Sequence, residues 1–214
     1  MAVLCVFDLD HTLVRSRLDL KLVKVEVREL AARKGVPLPA ESLVWTIAQT
    51  IAGIGAHDPA LEAACWELVL SHETAALESA ACEPGAREAV EALAGAAIPL
   101  AVWTNNARRI TEVALDRCGL RSFFATVVTR DEAALKPDPG GLRLLRAAYP
   151  ERAVWVVGDS WVDGAAAQAG GATFIAYGTD PAELARRAVR PHAVIHDLRA
   201  LPAWLAPHMV ASPD

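Results

Sequence analysis

At 214 residues the chain has room for one domain, or one domain carrying an insertion, and its 53% hydrophobic residues suffice for a sizeable core. Thirteen glycines, thirteen prolines and 22% charged residues exclude collagen-like, low-complexity and wholly disordered chains. A net charge of −5 carries none of the basic excess that nucleic-acid binding demands, so no nucleic-acid partner is expected.

The chain opens with MAVLCVFDLD, which has no basic region and meets two aspartates by residue 10, so a signal peptide is not expected. Its apolar run Ala2–Phe7 reads as a strand buried on both faces, because it is hydrophobic without period-2 alternation. No buried strand follows between Arg15 and Cys82, and the spacing there predicts helices. Arg17–Arg33 contains an alternating stretch that argues for a strand, but Val23, Val27, Leu30 and Ala31 share a helical face and Gly35 ends it before Pro37. Glu41–Ala52 and Ala60–Leu77 follow, the latter through Leu61, Cys65, Leu68 and Ala75. The charge-free stretch Ser42–Gly55 is shorter than the ~20 residues a membrane helix needs, so no membrane span is expected.

Beyond Cys82, strands and helices alternate. Ala86–Leu93 reads as a helix and Ile98–Trp103 as a strand; Ala107–Cys118 reads as a helix capped by Gly119, and Phe123–Val128 as a strand. Gly141–Ala148 is predicted helical, with Asp138-Pro139 as N-cap and first-turn pair and Pro150 as its stop. Ala153–Val157, Ala172–Tyr177 and Ala193–Ile195 complete the strands. The pattern implies an α/β fold, a doubly wound parallel sheet formed by residues 1–14 and 83–206, with residues 15–82 as a helical insertion and 207–214 as a loose tail.

Cys5, Cys65, Cys82 and Cys118 lie far apart without metal-ligand spacing and read as reduced thiols, which points to a cytoplasmic location. His57 and His72 read as a loop and a helix-face residue rather than ligands. Basic residues outnumber acidic ones between Arg15 and Lys34. Most of these read as solvated, with one or two available to an anionic substrate.

Ligands of open parallel sheets bind outside the carboxyl ends of the strands. The residues following the runs are Asp8-Leu9-Asp10-His11-Thr12, Thr104-Asn105-Asn106, Lys136-Pro137 and Gly158-Asp159-Ser160-Trp161-Val162-Asp163. Carboxylates gathered at one edge raise each other's pKa unless a cation sits among them, and an oxygen-only ligand set favours Mg2+. An ammonium and a hydroxyl opposite the carboxylates suit a phosphoryl group. One carboxylate can attack phosphorus, and a second can transfer the proton.

The set Asp8-x-Asp10-x-Thr12, Thr104, Lys136-Pro137 and Gly158-Asp159-x-x-x-Asp163 resembles the four motifs of the haloacid dehalogenase-like phosphatase superfamily, in order and over the whole chain. Glu83-Pro84-Gly85 and Gln168–Ala172 are also similar to it. Each motif alone is weak; their conjunction is specific. The resemblance implies a Rossmann-like core and makes residues 15–82 a small helical cap inserted after the first strand, as in phosphoglycolate phosphatases and β-phosphoglucomutases. It implies Asp8 as nucleophile and metal ligand, and Asp10 as general acid/base with its backbone carbonyl reaching the metal. It further implies Thr104, Asn105 and Lys136 as the phosphoryl clamp, and Asp159 as a Mg2+ ligand, with Asp163 either ligating the ion as well or orienting its water and Lys136. In place of the family's usual glycine stands His11, read as a loop residue; Trp161 either lines the pocket or packs on the sheet.

The expectation is a Mg2+-dependent phosphatase of a small phosphorylated metabolite, phosphoglycolate phosphatase-like, working through an aspartyl-phosphate. The alternative is a phosphomutase of the β-phosphoglucomutase kind; a phosphonatase or a non-enzymatic binding module is less favoured. Oligomeric state is not readable from these residues.

Overall fold

The computed structural model describes residues 2–208. Of the expected tail, residues 209–214 lie outside the described residues, while Ala206–His208 form a 3-10 turn. The chain divides into two compact units, Arg17–Ser79 and the chain on either side of it. The larger unit begins with β1 (Val3–Phe7) and β2 (Val14–Arg15).

The smaller unit holds α1 (Leu20–Arg33), α2 (Ile47–Gly55) and α3 (Pro59–Ala76). Asp19 caps α1 by accepting from the N–H groups of Lys21 and Leu22, and Val23, Val27 and Ala31 are its buried face. Their four-residue spacing overrides the local alternation, since a helix buries all three together. Gly35, at φ +73°, takes the left-handed conformation just beyond the helix. The expected helix Glu41–Ala52 is instead split into a 3-10 turn, Ala40–Val44, and α2. Thr46 and Gln49 form a reciprocal capping box that starts α2, and this holds Thr46 extended, outside the helix. Asp58 and Pro59 start α3. Its buried face runs through Leu61, Cys65, Val69 and Glu73, with Leu68 half-buried against the same core; Ala75, by contrast, is exposed. Val27, Ile51, Ile54, Leu61 and Cys65 are central to this unit's own core, each such large aliphatic contributing about 1.5–3 kcal/mol on burial. Two of the basic residues near the start of the unit are committed within it: Lys24 donates to the Leu43 carbonyl and Arg28 to the Ser42 hydroxyl and carbonyl.

The larger unit continues with β3 (Ala81–Cys82), α4 (Ala86–Gly95), β4 (Leu100–Trp103), α5 (Arg108–Arg117) and β5 (Thr126–Val128). It then runs through α6 (Gly140–Ala148), β6 (Ala153–Gly158), α7 (Trp161–Ala169), β7 (Thr173–Tyr177), α8 (Pro181–Arg186), β8 (Ala193–Ile195) and α9 (Leu201–Leu205). Six strands form one parallel sheet in the order β5-β4-β1-β6-β7-β8. All five residues of β1 are buried, which is what a central strand flanked by β4 and β6 and covered on both faces requires. The sequence reading missed β2 and β3, a two-residue antiparallel pair in which Val14 faces Cys82. Both strands belong to the larger unit, so Arg15 and Cys82, read as part of the insertion, pair outside it.

Among the boundaries that differ from the sequence pattern, β5 and α6 show local reasons, one in packing and one in capping. β5 starts at Thr126, not Phe123, because Phe124 turns inward to meet Phe7 edge-on at 6.1 Å. For α6 the N-cap is Pro139, and Asp138 acts one residue earlier by accepting from the Gly140 N–H. Gly141 has no room for a side chain: a Cβ there would lie 2.1 Å from the Trp103 indole nitrogen. The four cysteines are free thiols. Among the described residues no helix is long and apolar enough to cross a membrane.

Candidate active site

The site is built where β1, β4 and β6 end. Asp8 directly follows β1, and its N–H still donates to the Val157 carbonyl at 2.9 Å; Thr104 directly follows β4 and is tied to the Val128 carbonyl in the same way. Both residues therefore inherit the rigidity of the sheet. After Asp8 the chain reverses: the N–H groups of Leu13 and Val14 both reach the Leu9 carbonyl at 2.9 Å, with Leu9 and Leu13 fully buried. His11 sits exposed at the tip with φ +56°. That left-handed conformation costs a non-glycine residue about 1 kcal/mol, which accounts for glycine being usual in the motif this loop resembles. His11→Gly is accordingly expected to stabilise the protein by about 1 kcal/mol in denaturant unfolding. A loss of stability would show that the imidazole holds the turn.

Lys136 reaches the site from the segment between β5 and α6 and is 2% exposed. Its ammonium donates to Asp8 Oδ1 at 2.7 Å, to Asp163 Oδ1 at 2.5 Å and to the Trp103 carbonyl at 2.8 Å, so all three of its protons are used. Asn105 fixes the lysine's main chain: its Oδ1 accepts from the Lys136 N–H at 2.8 Å and its Nδ2 donates to the Lys136 carbonyl at 3.1 Å. The Asn105 side chain is thus spent on the lysine backbone.

The fourth segment is a helix start. Ser160 is the N-cap of α7, and its side chain forms a capping box with Asp163. Asp163 Oδ2 accepts from the Ser160 N–H and hydroxyl, leaving Oδ1 for Lys136. Gly158 allows this close packing, since a Cβ there would lie 2.6 Å from the Asp163 carboxyl carbon. The Asp159 carbonyl is held by the Thr179 hydroxyl at 2.5 Å.

One carboxylate oxygen from each of Asp8, Asp159 and Asp163 lies within 4.8 Å of the others. A single ammonium cannot neutralise three such groups. Burial, together with the neighbouring carboxylates and against the pull of Lys136, pushes Asp8 up to about 7. Burial and the charges of Asp8 and Asp163 push Asp159 up to about 8. Burial works to lower the Lys136 pKa, but Asp163 and Asp8 outweigh it and leave the ammonium above its ordinary range. A buried all-oxygen cluster whose members resist ionising together is a fit for a hard divalent cation. Asp10 is not among the three carboxylates; its Oδ2 instead accepts from Asn106 Nδ2 at 2.6 Å. Burial raises its pKa against the opposing effect of that hydrogen bond.

The structure thus brings Asp8, Lys136, Asp159 and Asp163 into one cluster, with Asp10 two residues along the chain from Asp8 and Thr104 at the neighbouring strand end. Sequence reasoning passed over Asn106 and Ser160. The Ser160-x-x-Asp163 spacing carries a capping-box signal that could have found the second; nothing local distinguishes Asn106 from Asn105. Trp161 packs against the core of the larger unit, and the Arg187 guanidinium sits 4.6 Å from its ring centroid.

A family model for haloacid dehalogenase-like hydrolases matches residues 3–171. The chain is similar to a phosphoglycolate phosphatase of Rhodobacter capsulatus, 29% identical over 94% of this chain and 96% of that one. Among solved structures it resembles a hydrolase from Pseudomonas syringae, with TM-score 0.72, 21% identity and coverage of 98% and 100% of the two chains. It also resembles CbbY from Rhodobacter sphaeroides, solved with xylulose 1,5-bisphosphate, with TM-score 0.67, 22% identity and coverage of 94% and 96%.

Proposed function

The chain belongs to the haloacid dehalogenase-like hydrolase family, and from that premise we propose that it is a Mg2+-dependent phosphatase of small phosphate monoesters, working through an aspartyl-phosphate on Asp8. The observation that carries this reading is the buried cluster in which Lys136 bridges Asp8 and Asp163 at 2.7 and 2.5 Å, with a second carboxylate, Asp10, two residues from the first.

In the first half-reaction a carboxylate oxygen of Asp8 bonds to phosphorus, and the ester P–O bond breaks with its electron pair on the leaving oxygen. Asp10 supplies the proton that makes the leaving group an alcohol; its raised pKa suits it to hold that proton until it is needed. In the second half-reaction Asp10 takes a proton from water, the water oxygen bonds to phosphorus, and the bond to Asp8 breaks to release inorganic phosphate. Lys136 fixes the rotation of the Asp8 carboxylate and places positive charge beside the phosphoryl oxygens, which the Thr104 hydroxyl and the Asn105 backbone N–H bind from the adjacent strand end. Asp8, Asp159 and Asp163, with the Asp10 backbone carbonyl, would hold Mg2+, which when bound supplies the positive charge that lets a phosphate dianion approach clustered carboxylates.

The similarity to a phosphoglycolate phosphatase favours phosphoglycolate or another small anionic ester as substrate. The test is release of inorganic phosphate from phosphoglycolate, sugar phosphates and nucleoside monophosphates, with Mg2+ and with EDTA. Release that needs Mg2+ and concentrates on one ester is expected. No release from any ester, or release undiminished by EDTA, would overturn the reading.

A further inference from the structure

Asn105 and Asn106 are adjacent in sequence but serve different partners. The first is paired with the Lys136 main chain. The second is 8% exposed and is held at both ends of its own backbone: its N–H donates to Thr104 Oγ1 at 3.2 Å, and its carbonyl accepts from the Arg130 N–H at 3.2 Å. Its side chain is thereby aimed at Asp10, with Nδ2 at 2.6 Å from Oδ2. Resting on the phosphatase reading above, we propose that Asn106 is the positioning residue for the proton-transferring carboxylate of Asp10.

The chemistry follows from which oxygen is taken. With Oδ2 accepting from the Asn106 amide, the proton to be donated resides on Asp10 Oδ1, so the amide selects which oxygen gives it up. When the ester bond breaks, its electron pair goes to the leaving oxygen, which takes that proton, and the new charge on Asp10 is met by the Asn106 N–H. Water returns the proton to the same carboxylate in the second half-reaction. A neutral donor suits this cycle because it binds Asp10 both with and without its proton, whereas a lysine there would hold it ionised.

This role predicts a dependence on the leaving group that a merely structural residue would not produce. An alkyl phosphate such as phosphoglycolate needs its leaving oxygen protonated, while p-nitrophenyl phosphate expels a stable anion and does not. In single-turnover experiments with Mg2+, Asn106→Ala is expected to slow alcohol release from the alkyl ester roughly 10²-fold and p-nitrophenolate release by less than about fivefold. Asn106→Leu, which keeps roughly the side chain's volume but removes the donor, is expected to give the same split, and guards against a cavity effect in the alanine variant. Asp10→Asn supplies the reference for complete loss of proton transfer. Equal slowing of both esters, or no slowing of either, would overturn the assignment while leaving the phosphatase reading intact. The alkyl ester used is one the unmodified protein hydrolyses in the panel above, and silence on every ester of that panel would overturn the phosphatase reading and this inference with it.

Discussion

Asp8→Asn is expected to abolish phosphate release, lowering kcat by about 10⁴-fold or more as removal of a nucleophile does, and at the same time to stabilise the metal-free protein at pH 8. The first effect follows because an amide cannot form the acyl-phosphate that the carboxylate forms. The second follows from the site's own repulsion. Asp8 is pushed up to about 7 and Asp159 up to about 8 by burial and by neighbouring carboxylates, against an ordinary value of 3.8. A carboxyl whose pKa is raised by folding holds a proton in the folded protein that the unfolded chain has already released. The contribution of these groups is therefore most favourable below pH 4 and is lost as pH climbs through 7 and 8. Each such proton steepens the loss by at most about 1.4 kcal/mol per pH unit. Thermal unfolding in EDTA should show the unmodified protein losing stability between pH 5.5 and 8, with Asp8→Asn losing less. At pH 8 the variant should melt higher, by about 2–4 °C for each kcal/mol recovered. The same linkage makes Mg2+ raise the melting temperature more at pH 8 than at pH 6, since the cation competes with protons for the cluster. A flat profile in EDTA, or a variant that melts lower throughout, would mean that the Asp8–Lys136 contact outweighs the repulsion.

Lys136→Met should do the opposite to stability while also stopping turnover. The ammonium is 2% exposed and is the only cation in contact with Asp8 and Asp163 among the described residues. Removing it leaves buried carboxylates without their counter-charge, and breaking a buried pair of this kind costs about 3–5 kcal/mol. Turnover should fall by about 10²–10³-fold or more, the usual loss when a charged donor to the reacting oxygens is removed. Because Mg2+ would occupy the same negative cluster, it should restore part of the lost stability but not the activity. Lys136→Arg is expected to fail as a substitute: three acceptors surround a single nitrogen at 2.5–2.8 Å, and a planar guanidinium cannot address all three from one point. A methionine variant as stable in EDTA as the unmodified protein would show that the ion pairs contribute nothing net to folding.

The sheet was legible because its strands are buried on both faces and so read as continuous apolar runs; β6 and β8 start where those runs start. The helical insertion was legible as helical, but not in its division. Glu41–Ala52 looks continuous by spacing, and only the Thr46–Gln49 capping box, a pair of short hydrogen bonds, decides that the helix begins at Ile47. In α3 the buried face continues from Cys65 to Val69, with Leu68 half-buried against the same core, while Ala75 is exposed, because burial is set by what the neighbouring helices cover.

The sequence alone determined which chemical groups meet and on what scaffold. Apart from Lys136, which lies in the segment between β5 and α6, the motif residues follow a strand or start a helix, so local rules of strand ends and caps carry Asp8, Thr104, Asp159 and Asp163 to one edge of the sheet. Which partner each group takes there was decided by the tertiary structure. Lys136 and Asp8 are 128 residues apart, and Asn106 and Asp10 are 96 apart. Hydrogen bonds between such partners depend on differences of about 1 Å that no local pattern encodes. The fold therefore assigned Asn105 to the lysine and Asn106 to the acid, and it turned one oxygen of Asp163 to the helix cap and the other to the ammonium.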